Sequence, residues 1–514
     1  MKKTIIKFNI FAIIIIAIIC FVMTPIELQN DTFYTIKIGE HILNNGIDMV
    51  DPFSWHADLP YTYPHWAYDV ITYLIFNISG FNGLYIATLI LSIILGLALY
   101  LAGTKISKNH SVSLLVTIVT MVLFKNYIAA RAQLVTFILF VLTILFIERF
   151  LQTKKIKYAI LLIIIPIIIA NVHLAVWPFY FILFLPYIAE YIISIIYNAI
   201  RGKSDKTGKL VIVRNDNVKW LLLIFAISTL TGFLTPLGFT PYTYLIKTMQ
   251  GTTTKSIAEH TPLVLFNRKA IIMVMLTFLG IFSFSKVKIK LSDLIMIIGL
   301  TLLALGSNRQ VSMLLLIGSI IMIKLIVNLI DLQNEKFKSK YNKNIEQSII
   351  EFITKKLTAI VIIITILLSA IAVFVITQKK EKYINETIYP VKAAEWIKEN
   401  LDVKNIKLFN EYNYGSYLLY KDIPVFIDSR ADLYTPEFNG KKGEDGNYVG
   451  KNIFDDFINL SSLSVYYKNK LDEYGITHII LQKNTKLNIM ISNDNDYESI
   501  YSDDNFIIYE KSKI

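Results

Sequence analysis

Residues 29–55, QNDTFYTIKIGEHILNNGIDMVDPFSW, and 63–69, YPHWAYD, follow directly on the first long apolar run of the chain. They carry Asp, Glu, His and Trp but only one lysine, Lys37. How this stretch is read depends on which side of a membrane it faces. The composition makes a membrane the first question: of 514 residues 54% are hydrophobic and 18% charged, with a mean hydropathy of +0.52. Soluble globular chains carry about 25% charged residues. Runs such as FNIFAIIIIAIICFVM, LYIATLILSIILGLALYLAG and LTAIVIIITILLSAIAVFVI have the length and polarity of membrane-crossing helices.

Apolar runs recur near 8–26, 82–102, 111–125, 134–151, 157–171, 174–198, 219–235, 270–285, 292–307, 310–330 and 357–377. This gives about eleven candidate spans by the ~20-residue criterion. The opening MKKTIIK is basic, but the run after it is longer than a signal-peptide core and lacks a small-residue cleavage site. It is therefore expected to stay as the first span. Cys20 lies inside it and is the only cysteine, so no intrachain disulfide can form.

With the N-terminus in the cytoplasm, the inside segments hold about two dozen Lys and Arg and the outside loops about eight, the bias that orients membrane proteins. The net charge of +12 is accounted for by these juxtamembrane lysines, and no nucleic-acid partner is expected. The opening stretch then becomes the first outside loop, about 27–80. Its end, YPHWAYDVITYLIFNISGF, has the Tyr and Trp content of an interfacial amphipathic helix.

Beyond residue 378 the composition changes. PVKAAEWIKENL and DFINLSSLSVYYKNKLDEYG have helical periodicity, while IKLFNEY, GSYLLY, PVFID and ITHIILQ look strand-like. The expected architecture is mainly α: a polytopic bundle over 1–377, followed by a small extracytoplasmic α/β domain over 378–514. No 20–50-residue repeat and no low-complexity tract is visible.

The candidate chemistry collects on the outer face. Asp31, where the first span ends, is placed either as a general base or as the N-cap of the helix that follows. Asp51 precedes Pro52, so it lies in a turn or extended segment, where it serves the turn or meets a substrate or metal. Glu40, His41, His56, His65 and Asp69 share the loop. No pair among them has a metal-ligand spacing, so a divalent ion is permitted but not specified.

Asn171 and His173 interrupt an apolar hairpin, Arg131 opens a span in YIAARAQLVTF, and Arg309 sits in the short turn of LGSNRQVSML. Each arginine either snorkels to the interface or offers its planar fork to phosphate oxygens. A longer outside loop carries Lys247, Lys255, Glu259 and His260 and suits a lid or acceptor surface. In FIDSRADLY the alternate residues Asp428, Arg430 and Asp432 would share one face of a strand. They would serve either to bind a sugar or to dock the tail in an Asp–Arg–Asp pairing.

The order of these parts resembles the bacterial members of the GT-C glycosyltransferase superfamily. The resemblance rests on the acidic loop with DPFSW and HW, on ARAQLVTF, ANVHLA, TPLGFTPY with IAEHTP, and NRQ, and on a tail with NEYNYGSYLLY and PVFIDSRADLY. It implies an enzyme of the bacterial cytoplasmic membrane that takes a sugar from a polyprenyl-phosphate carrier. The expected acceptor is a cell-envelope glycan or lipid. It further implies Asp31 as base, with Asp51 as a second catalytic candidate. Glu40, His65, Arg131, Asn171, His173, Lys255, Glu259 and Arg309 are then substrate contacts. No cofactor is specified. The tail is similar in position to the outer domain of oligosaccharyltransferases but lacks their Trp-Trp-Asp-type motif. Two other readings stay open: a polymerase or ligase using lipid-diphosphate donors, and a transporter or flippase, although transporters tend to show repeats and midplane charges.

Overall fold

The computed structural model describes residues 2–201, 210–251, 287–356, 383–444 and 447–512, with isolated positions 253, 257, 280, 359, 363, 366, 367 and 370 between them. The apolar runs 270–285 and 357–377 lie almost wholly outside the described residues, as do Lys255, Glu259 and His260.

Among the described residues five helices are long and apolar enough to cross a membrane: Lys2–Met23, Trp66–Ser107, Ala132–Thr153, Leu174–Tyr197 and Asn308–Tyr341. Four more apolar helices, His110–Leu123, Ile156–Val172, Val218–Phe233 and Leu291–Gly306, are shorter. At 1.5 Å per residue they fall below the ~30 Å of a hydrocarbon core. Of the eleven apolar runs expected as spans, those at 270–285 and 357–377 lie almost wholly outside the described residues, and the others form the five long and four shorter helices. The long Trp66–Ser107 helix is broken at Gly80, whose φ of 58° and ψ of −151° are not helical. This separates the aromatic segment that begins at Trp66 from the apolar run after it.

The chain forms two compact units. One comprises Met1–Pro25, Tyr85–Thr235 and Ala258–Glu381; the other comprises Ile26–Leu84, Pro236–Ile257 and Lys382–Ile514.

The first unit is helical. Its core includes Phe137, Val141 and Ile144 of Ala132–Thr153 and the continuous buried run Val311–Ile323. Pro166 sits inside helix Ile156–Val172, where its missing N–H leaves the carbonyl four residues earlier without a helical donor. That carbonyl, Leu162 O, accepts the hydroxyl of buried Tyr180 instead. Helix His110–Leu123 is capped by Asn109, whose side chain accepts from Val112 N at 3.0 Å, satisfying one of the free N–H groups of the first turn.

The second unit is mixed. Its four-stranded sheet has the spatial order Leu408–Phe409, His478–Gln482, Phe506–Lys511, Tyr497–Ser502. The first pair is parallel, with Leu408 opposite His478, and the other two pairs are antiparallel. ITHIILQ supplies the strand His478–Gln482, and the two stretches read as helical form Val391–Asn400, Ile453–Ser462 and Tyr467–Tyr474.

GSYLLY, read as strand-like, lies instead in helix Tyr412–Tyr420. The reason is tertiary. Tyr414, Tyr417 and Leu418 bury the face that a 3.6-residue period brings together. At Gly415 a Cβ would stand 2.0 Å from Ile427 O, so the helix packs directly on backbone. PVFID is buried but joins no sheet; only Val425 forms a bridge, to Ser54.

Helix Asn30–Asn45 runs parallel to Tyr412–Tyr420. Asn30 Nδ2 donates to Tyr412 O at 2.9 Å, Phe33 packs on Tyr417 with centroids 5.1 Å apart, and Lys37 pairs with Asp422 at 2.7 Å.

Candidate functional site

The polar centre of the second unit forms around Arg430. Its Nε and Nη2 donate to Asp428 Oδ1 at 2.9 Å and Oδ2 at 2.7 Å, a bidentate fork, and Nη1 donates to Asp51 Oδ1 at 2.6 Å. The guanidinium lies over the rings of Tyr61, at 5.0 Å, and Phe53, at 5.4 Å, a cation–π arrangement on two sides. Tyr434 OH donates to Asp428 Oδ2 at 2.6 Å.

Asp51 Oδ1 also accepts from Phe53 N and Oδ2 from Ser54 N, the turn geometry expected of an Asp before Pro. Burial alone would raise the Asp51 carboxyl. The Arg430 charge and the Ser54 hydrogen bonds outweigh burial and hold it below the ordinary carboxylate range. The expected strand face of Asp428, Arg430 and Asp432 does not form. Residues 431–434 make a 3-10 turn, and Asp432 accepts from Tyr244 OH at 2.6 Å.

Asp31 lies in the first turn of helix Asn30–Asn45, half-buried, and is not its N-cap; Gln29 holds that position without a side-chain cap bond. Glu40 pairs with Lys37 at 2.5 Å, and His41 Nε2 donates to Asp48 at 2.9 Å. His65 is half-buried, and its carbonyl accepts from Asp69 N. Asp69 is fully buried, and neither carboxyl oxygen has a hydrogen-bond partner among the described residues. His56 is buried, with Nε2 on Phe426 O at 2.8 Å, and desolvation pushes it down to about 4. Glu411, just before helix Tyr412–Tyr420, is pushed up to about 7 by burial.

In the first unit, Arg131 occupies the N-cap position of helix Ala132–Thr153. Asn171 Nδ2 donates to Ile167 O at 2.8 Å and Leu234 O at 2.9 Å. His173 is buried at the end of helix Ile156–Val172, with Nδ1 3.3 Å from Thr136 Oγ1. Arg309 is half-buried in the 3-10 turn Asn308–Gln310, and its guanidinium has no ion-pair partner among the described residues.

Sequence reasoning did not find a second charged cluster in this unit. Lys324 Nζ donates to Glu148 Oε1 at 3.0 Å and Asp293 Oδ1 at 2.6 Å, and Tyr187 OH donates to Glu148 Oε1 at 3.3 Å. The available signal was a lysine inside GSIIMIKLIVNL, because ionisable residues within apolar runs are costly and need partners. Among the described residues no three His, Cys, Asp or Glu side chains gather as a metal site.

No family model matches the chain, and no curated protein matches it in sequence. Its fold does match solved structures. The oligosaccharyltransferase of Archaeoglobus fulgidus, tethered by a disulfide bond to an acceptor peptide containing the NVT sequon, is similar at a TM-score of 0.53 and 12% identity, over 98% of this chain and 74% of that one. The apo form of the same enzyme gives a TM-score of 0.53 and 12% identity, over 92% and 69%. The chain therefore has a fold like that of these oligosaccharyltransferases, a GT-C fold.

Proposed function

We propose that the chain is an integral membrane glycosyltransferase of the bacterial cytoplasmic membrane. It moves a sugar from a polyprenyl-phosphate carrier to a hydroxyl of an extracytoplasmic glycan or lipid. The observation that carries this reading is the oligosaccharyltransferase fold over 98% of the chain, with Asp31 in the first turn of the helix that follows the first apolar helix.

In the proposed step the acceptor oxygen attacks the anomeric carbon while the bond from that carbon to the phosphate oxygen breaks. The phosphate leaves with the bonding pair, the acceptor proton passes to the Asp31 carboxylate, and a single displacement inverts the anomeric centre. Because phosphate is already a good leaving group, one base can suffice without a paired acid. Arg309 supports the leaving phosphate, since a half-buried guanidinium without an ion-pair partner among the described residues suits an anion at headgroup depth. Arg131 is assigned to the same role from its place at a helix start. Asp51, occupied by Arg430 and two backbone N–H groups, is assigned to ordering the loop. Glu40, His65, Asn171, His173, Lys255 and Glu259 remain proposed substrate contacts, and a divalent ion is not required by this step.

The test is Asp31→Asn. Donor binding and folding should persist while transfer falls 10²–10⁴-fold, roughly the loss expected of a general base. Full activity in that variant would remove Asp31 from the chemistry.

A further inference from the structure

We infer that Lys324 is a positioning residue: clamped between Glu148 and Asp293, it fixes the axial register of helix Val311–Tyr341 and so the depth of Arg309 at the start of that helix. The inference rests on the reading of Arg309 as a donor contact, but its first test does not. Every residue from Val311 to Ile323 is buried, together with Leu325 and Val327. Apart from two serines and a glycine, the run Val311–Ile323 is aliphatic or methionine.

An apolar surface against apolar neighbours in lipid has little to hold it against a slip of one turn, about 5.4 Å, because one methyl contact replaces another. The two buried serines do not help. Ser312 Oγ donates to Arg309 O and Ser319 Oγ to Leu316 O, both local. Lys324 is the only charged residue from 311 to 327. It reaches two carboxylates on two other helices, Ala132–Thr153 and Leu291–Gly306. A one-turn slip would strand all three charges, so the native register is the one that keeps them paired. Arg309 is fifteen residues earlier, about 22 Å along the helix, and moves with it.

Lys324→Met alone leaves two carboxylates unpaired and can fail to fold. The informative variant is therefore the neutral triple, Lys324→Met with Glu148→Gln and Asp293→Asn. Val112 packs in one buried cluster with Ile323 and Val327. In a Cys20→Ser background of otherwise native charge, a cysteine at 112 should cross-link to one at 323 or 327. In the neutral triple, new cross-links from 112 to cysteines at 319 or 331 should appear. The donor KM should rise by about tenfold or more, with kcat changed far less, the pattern of a displaced binding group. Lys324→Arg, still able to bridge both acids, should stay near native. Native-only cross-links in the triple variant would overturn the clamp. New cross-links with an unchanged donor KM would leave the clamp standing and overturn the role given to Arg309.

Discussion

At the scale of single residues, burial decides which polar groups can do chemistry. Asp51 and Arg430 are both buried and paired: removing Arg430 would strand the carboxylates of Asp51 and Asp428, a loss of about 3–5 kcal/mol, whereas without Asp51 the guanidinium keeps its fork to Asp428. His56 shows the opposite effect, a group buried neutral. Its folded value near 4 lies below the usual 6.5, so the unfolded chain binds the extra proton between those values. Stability therefore falls as pH drops from about 6.5 to about 4, by roughly 3 kcal/mol at most. Glu411, raised to about 7, acts in the other direction, because its contribution is lost as pH rises through 7. The comparison with His56→Asn isolates the histidine. The apparent melting temperature of the variant should fall less between pH 7 and pH 5 than that of the native protein, and equal falls would show that His56 is not buried neutral. Asp51 was visible in the sequence as a charge before a proline, and Asp428 and Arg430 as alternating charges able to pair. What could not be read was the pairing of Arg430 with Asp51, because it joins positions 379 residues apart.

At the scale of elements, helices declared themselves by periodicity where apolar faces were long, and failed to where a short segment met backbone. GSYLLY is the instructive case. Six residues with two tyrosines, Tyr417 and Tyr420, fit a strand or a helix equally well, and packing against Ile427 O selects the helix. The crossing of helices Asn30–Asn45 and Trp66–Ser107 depends on a similar approach. A Cβ on Gly39 would stand 2.1 Å from Asp69 O and 2.7 Å from Tyr73 Cβ. Intrinsic helix propensity favours Ala over Gly by about 1 kcal/mol, whereas forced separation of packed elements costs about 1–3 kcal/mol or more. Gly39→Ala should therefore lower the melting temperature and broaden the detergent elution profile. An unchanged or raised melting temperature would mean that the two helices do not meet there. The shorter apolar helices were legible as short, since the runs near 111–125, 157–171, 219–235 and 292–307 match helices His110–Leu123, Ile156–Val172, Val218–Phe233 and Leu291–Gly306 closely.

At the scale of the whole molecule, lysine asymmetry supplies the orientation on which the proposed chemistry depends. Cysteine at Ser464, exposed in the second unit, should react with an impermeant thiol reagent in intact cells. Cysteine at Lys108, exposed beside helix His110–Leu123, should react only after lysis; the reverse pattern would invert the topology and remove the extracytoplasmic acceptor. The fold class was legible from composition and run length, whereas the donor-side arrangement was legible only through resemblance, since no metal spacing or paired-acid motif marks a one-base transfer. The most direct test of the central claim uses purified protein in liposomes with a polyprenyl-phosphate-linked, labelled sugar and a hydroxyl acceptor. The account predicts that label leaves the carrier, one lipid phosphate is released per sugar transferred, the product has the inverted anomeric configuration, and Asp31→Asn slows the transfer by roughly 10²–10⁴-fold. Label that crosses the bilayer still joined to its lipid phosphate would contradict it.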